Sequence, residues 1–349
     1  MNDTGTLEEA YERLHRTGPE FDGWLSNHGP MAVEAMVRHG YDRDVHRWLD
    51  GYVARLDELP RGTSPVGTGE WREALGDPGR LGDWLAFFDR ELRERPWRDV
   101  LETWWPRLLP GIAAGATHGV IRAGHAVHAL LQLQDETRLA ELGQALGYWA
   151  ARWQPVAAFD APSGTADPEI ALAGVPRVPD QSQGINHRLA QLAEVAGWGP
   201  SVAALRPAAD AEQARARLAE LADAATLRYT THAHGNPVML VHTATAPTAV
   251  LRTLPALPES LWAAGLNAAW AAGAAVTAAY APAEPVTAGP ELRSGPGSAE
   301  EVFELAVRHG DEHVIKLADT ALDVHRRTGD PDALAAVVRA ATLISPFRP

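Results

Sequence analysis

The sequence predicts an all-α protein, and three observations predict it. Apolar residues recur at spacings of three and four along most of the chain, strand-like alternation is scarce, and stretches rich in Pro, Gly and Ser interrupt the pattern at intervals. In order, "LEEAYERLHRTG" (7–18), "RLGDWLAFFDRELRER" (80–95), "ETRLAELGQALGYWAARW" (136–153) and "DAEQARARLAELADAATL" (210–227) each collect their apolar side chains on one helical face. Breaks are expected at 59–70, 159–169, 174–184 and 282–301, the last as a long surface crossover. Asn236 before Pro237 predicts an N-cap followed by proline at the first helical position. Asp311 after Gly310 predicts another cap, which puts Lys316 in the second turn of a helix. No repeat of fixed period and no linker between self-sufficient halves emerges. The expected architecture is therefore one domain over 1–349, a single irregular multi-helix bundle of stacked helix pairs.

Composition narrows the function classes. With 349 residues, 46% hydrophobic and 22% charged, the chain reads as soluble and globular, with core enough for a buried site. A net charge of −14 argues against a nucleic-acid footprint, and no run of Lys or Arg suits an anionic membrane. The start, "MNDTGTLEEAYERLH", is polar and acidic, unlike a secretory signal, so a cytoplasmic location is expected. The Ala-rich stretch from Trp262 to Ala281 reads as a buried helix rather than a membrane span. Without cysteine there is no disulfide, thiolate nucleophile or iron–sulfur cluster, and any metal must be held by nitrogen and oxygen. Oligomeric state leaves no signal.

Of 31 lysines and arginines a single one, Lys316, is lysine. A surface lysine exchanges readily for arginine, but a lysine that must be a neutral nucleophile does not, because guanidinium keeps its proton. Lys316 also lies three residues after His313, one turn on along the same helix face, which suggests a shared site.

The fourteen histidines divide by setting. His15, His46, His187 and His325 neighbour arginines or acids on amphipathic helices and read as surface residues. His28, His118, His242 and His313 lie among small or apolar residues. One such histidine is usually a satisfied core imidazole; four, beside a unique lysine, suggest a site. His118, Arg122 and His125 fall at i, i+4 and i+7 on one stripe flanked by Gly115, Gly119 and Gly124, which lets something approach the helix closely. His128 drifts off that stripe, and His232 and His234 fall in an expected loop before Pro237. No HExxH, Walker A, GxGxxG opening a helix or GxSxG is present, and the di-iron pattern fails because only one Glu-x-x-His, Glu12 to His15, occurs. A mononuclear site of imidazoles plus one oxygen ligand remains, acceptable to iron, zinc or manganese.

The strings "SNHGPMAVEAMVRHG", "WWPRLLPGIAAGATHGVIRAGHAVHAL", "VMLVHTATAPTAVLR" and "DEHVIKLADTAL" resemble the questin oxidase family, in order and over nearly the whole chain. The resemblance implies an oxygenase, Baeyer–Villiger-like or ring-cleaving, acting with dioxygen on an aromatic polyketide of the anthraquinone or anthrone type. It also implies mononuclear non-haem iron held by histidines and a carboxylated lysine. Matched string by string, the ligand role passes to His28, His118, His242, His313 and Lys316, with His39 or His125 as alternatives to His28 and His242. Five ligands would leave one octahedral position open. Arg122 would hold a substrate carbonyl or oxyanion, or else form a structural salt bridge, and His125 is the second catalytic candidate. Trp104 and Trp105 would wall an aromatic pocket or pack in the core. NADPH, used in the family, would serve as an external reductant, since no dinucleotide fingerprint is present. Two other readings use the same residues: a non-catalytic helical binding or scaffold protein, and a zinc-dependent hydrolase.

Overall fold

Each of the four amphipathic stretches forms a helix: Thr6–Leu14, Leu81–Glu94, Glu136–Ala151 and Ala211–His232. Two of them start on aspartate caps, Asp135 accepting from the Arg138 N–H and Asp210 from the Gln213 N–H, both at 2.8 Å. The structure, a computed structural model, describes residues 5–287 and 297–347. It is 68% helical, with 17 α-helices among the described residues, so the chain is all-α. The sheet described is a two-stranded hairpin, Glu20–Phe21 antiparallel to Leu25–Ser26, turned through Asp22 and Gly23 at positive φ. Of the break expected at 282–301, residues 288–296 lie outside the described residues. Ser298 then opens the Ala299–His309 helix with a capping box closed by Glu301.

The chain divides into two compact units. Within the described residues one comprises 5–155 and 252–258, and the other 156–251, 259–287 and 297–347.

In the first unit Leu81–Glu94 packs along Glu136–Ala151, which in turn carries His118–Gln132. The first contact is close because Gly147 lacks a side chain: a Cβ there would stand 2.9 Å from Leu85 Cδ2 and 3.1 Å from the Leu85 backbone nitrogen. Trp84, Phe87, Phe88 and Trp104 form a cluster of edge-to-face pairs with centroids 5.0 to 5.6 Å apart, in which Trp84 and Phe88 stack at 5.8 Å, and Trp105 meets Trp149 edge to face at 5.5 Å. Both tryptophans of the Trp104–Trp105 pair are thus core residues, their large apolar surfaces removed from water. Thr6–Leu14, Gly29–Arg38 and Asp42–Val53 pack mutually.

In the second unit Ala211–His232 packs against Trp262–Tyr280 and Asp332–Leu343, and Glu312–Thr328 against Asp332–Leu343. The Ala-rich segment is the buried helix its composition predicts, anchored by Trp270 Nε1, which donates to the Val202 carbonyl at 2.7 Å. Among the described residues no helix is long and apolar enough to cross a membrane. Asn236 caps Pro237–Thr253 through Oδ1, which accepts from the Met239 N–H at 3.0 Å. Pro247 inside that helix supplies no N–H, and the hydroxyls of Thr243, Thr245 and Thr248 donate to carbonyls one turn back.

Candidate metal centre

His118 is the first residue of its helix, and the turn before it is unusual. Gly115, Ala116 and Thr117 have φ of +52°, +57° and +73°, three successive residues in the left-handed region. This turn carries the Gly115 carbonyl to the His118 ring, where it accepts from Nδ1–H. A carbonyl can only accept, so Nδ1 holds the proton and Nε2 presents its lone pair, the tautomer a metal requires. Gly115 cannot be replaced without movement, since a Cβ would lie 2.2 Å from Tyr148 Oη, itself hydrogen bonded to Ser26 Oγ.

Ser26 leads into the second imidazole. Asn27 pins the chain by donating to the Gly18 carbonyl and accepting from the Gly29 N–H, while the His28 N–H donates to Tyr52 Oη at 2.6 Å. Pro30 follows in the first turn of Gly29–Arg38, where its missing N–H costs nothing. These constraints bring the buried His28 ring to 4.4 Å from that of His118, at 85°. His39, an alternative ligand by sequence, instead follows that helix at its C-terminal end and is half-buried.

The other stripe residues meet carboxylates. Glu34, buried among the apolar residues of Gly29–Arg38, accepts from Nδ1 of His125 and of His128, each at 2.7 Å. Burial pushes the Glu34 carboxyl up, but the two imidazoles outweigh it and hold it well below the usual range. His128, which the helical spacing sets aside, therefore belongs with His125. Arg122 grips Glu141 with both ends of its fork, Nε to Oε1 at 2.6 Å and Nη2 to Oε2 at 2.8 Å. His15 also donates to Glu141, at 2.8 Å, and its side chain is 15% exposed, so it is largely buried rather than a surface residue.

In the second unit His242 lies mid-helix, 1% exposed, and its ring stacks on His313 with centroids 5.8 Å apart. Asp311 caps Glu312–Thr328 as its position predicts, accepting from the His313 and Val314 N–H groups. Burial raises the Asp311 carboxyl, but these bonds and the His313 ring at 3.4 Å hold it below its ordinary value. Asp311, Glu312 and His313 bring one ligand atom each within 4.8 Å of one another, a group able to hold a metal ion. Lys316 follows one turn later with no exposed surface, and burial pulls its ammonium down to about 7 against the opposing carboxylates of Glu312 and Asp311.

The stretch that carries His28, Glu34, His118, Arg122, His125 and Glu141 can be compared with known proteins as a unit. Residues 27–141 match the Questin oxidase-like family model. No curated protein matches the chain. The questin oxidase-like segment supports the resemblance read from "SNHGPM" and "THGVIRAGH", and it contains one of the two histidine pairs. In each unit taken by itself the donors suit a borderline-to-hard metal: in the first, imidazole nitrogens with a fixed tautomer at His118; in the second, carboxylate oxygens at Asp311 and Glu312 and an amine at Lys316 whose ammonium burial pulls down to about 7.

Spacing could not reveal Glu34 and Glu141. Glu141 is one acid among neighbours of mixed character, and the role of each appears only when another helix delivers a base to it. A signal for Glu34 exists, since it is the sole charge in "HGPMAVEAMV".

Proposed function

We propose that this protein is a non-haem iron oxygenase that acts on an aromatic polyketide of the anthraquinone or anthrone type, inserting dioxygen-derived oxygen beside a ring carbonyl and opening the ring. The questin oxidase-like match supports the oxygenase class. Lys316 carries the metal reading: the one lysine of the chain is wholly buried, next to a histidine-bearing turn, and burial pulls its ammonium down to about 7, so a substantial share is free amine at pH 7. A neutral amine attacks carbon dioxide, forming an N–C bond and releasing one proton, and the product is an anionic carbamate that offers oxygen to a cation. In this reading His28, His118, His242, His313 and Lys316 hold one iron, which when bound supplies the one-electron chemistry that dioxygen needs.

The chain's own residues do the rest. Glu34 accepts the Nδ1–H of His125, which leaves Nε2 as the basic nitrogen, and in this reading Nε2 would take the phenolic proton of the substrate. Arg122 spends two nitrogens on Glu141, and its buried Nη1, without a hydrogen-bond partner among the described residues, would donate to a substrate oxygen. NADPH acts, where required, as an external reductant. The test combines metal analysis of the purified protein with turnover of anthrones and anthraquinones under ¹⁸O₂. Iron together with ¹⁸O in a ring-opened product supports the reading. Zinc without oxygen incorporation would favour a hydrolase, and no bound metal a binding protein.

A further inference from the structure

Thr117 occupies the N-cap of His118–Gln132, where a threonine hydroxyl ordinarily accepts from an N–H two or three residues on. No such bond forms. An ordinary N-cap is extended, whereas Thr117 has φ +73° and ψ 0°, which turns the side chain away from the first helical turn. β-Branched residues rarely adopt that conformation, because Cβ crowds the backbone. The hydroxyl is also buried, the residue being 2% exposed, and among the described residues Oγ1 meets no hydrogen-bond partner. Both features oppose folding: a glycine would relieve the backbone, and a valine would remove the unmet polar group. An arrangement that the chain itself does not reward is explained by a molecule it does not contain.

We propose that Thr117 Oγ1 donates its hydrogen bond to a small oxygen-bearing ligand, water or dioxygen, seated beside the His28–His118 pair. The inference rests on the metal reading of that pair and assigns Thr117 the task of orienting what enters the open coordination position. The His118 tautomer supports it. The same left-handed turn that disengages the Thr117 hydroxyl from capping also carries the Gly115 carbonyl to Nδ1, so one local distortion sets both the ligand nitrogen and the adjacent donor.

The test uses the full chain reconstituted with iron, with azide as the probe of the open position, titrated by its charge-transfer absorption. Thr117→Val and Thr117→Gly should keep native iron content and weaken azide about tenfold, the worth of one hydrogen bond in a protein interior. Thr117→Ser, which keeps the hydroxyl, should stay within about twofold. In metal-free protein Thr117→Val should melt no lower than native, because no partner in the chain is lost. Equal azide affinity in native and hydroxyl-free variants at full iron content overturns the Thr117 assignment alone. So does a sharply lowered melting temperature for metal-free Thr117→Val, which would show that the hydroxyl serves structure. Should valine not fold, glycine decides the matter, since it removes the hydroxyl and relaxes the backbone together. A native chain that takes up no iron overturns the metal reading first, and this assignment with it.

Discussion

The imidazoles of His28 and His118 meet edge to face with ring centroids 4.4 Å apart, although one precedes the Gly29–Arg38 helix and the other begins His118–Gln132. If the pair binds metal, losing either ring costs metal more than fold. His28→Ala and His118→Ala should each lower iron content at least about tenfold. His46→Ala, at a side chain 41% exposed, should leave it unchanged. Inductively coupled plasma spectrometry of the three variants checks this, and equal iron in all three contradicts it.

Glu34 predicts a pH dependence. Its carboxyl is held below the ordinary range by His125 and His128 despite burial, so the unfolded chain binds its proton first as pH falls. The resulting stability is complete above the ordinary glutamate pKa, about 4.3, and is lost progressively on acidification below it. Glu34→Gln should cost about 1.5–3 kcal/mol at pH 7, and that difference from native should shrink below pH about 4. Urea denaturation at both pH values measures it, and a difference independent of pH counts against the clamp.

The Arg122–Glu141 pair is fully desolvated. Removing one partner strands a buried charge, so Glu141→Leu should destabilise by about 3–5 kcal/mol. Arg122→Met combined with Glu141→Leu should recover much of that loss, since neither charge then remains. A double-mutant cycle in urea gives the coupling, and additive effects would show that the pair does not act as a unit.

In the proposed reading, ligands drawn from positions 28 to 316 would couple the whole chain through one ion, and the proposal therefore requires a single cooperative unfolding event. Chelating the metal should lower the melting temperature in calorimetry without splitting the transition. Two transitions, one of them insensitive to chelator, would refute a shared site.

Much of the fold was legible because it is written locally. Asn236 and Asp311 announced their caps, the 3–4 spacing announced the long helices, and the alanines of Trp262–Tyr280 announced a buried helix. The site was legible only in part. His118, Arg122 and His125 do share one helix, but Glu34, Glu141 and the largely buried state of His15 arise from helices brought together by folding, which no periodicity encodes. The left-handed turn at Gly115–Thr117 was equally hidden, because alanine and threonine are not residues that advertise positive φ. Lys316 is different: it is the one lysine of an arginine-rich chain, a signal present in the sequence, and the structure buries it completely.

The most direct test is iron content of native protein and Lys316→Arg, each reconstituted with and without ¹³C-bicarbonate. Arginine keeps the charge and most of the stem but cannot form a carbamate. The account predicts about one iron per native chain, raised by bicarbonate, with a ¹³C carbamate resonance, and neither iron nor resonance in Lys316→Arg. Lys316→Glu, which restores an anionic carboxylate on a shorter reach, should recover part of the iron. Lys316→Arg that binds iron as the native chain does would contradict the account.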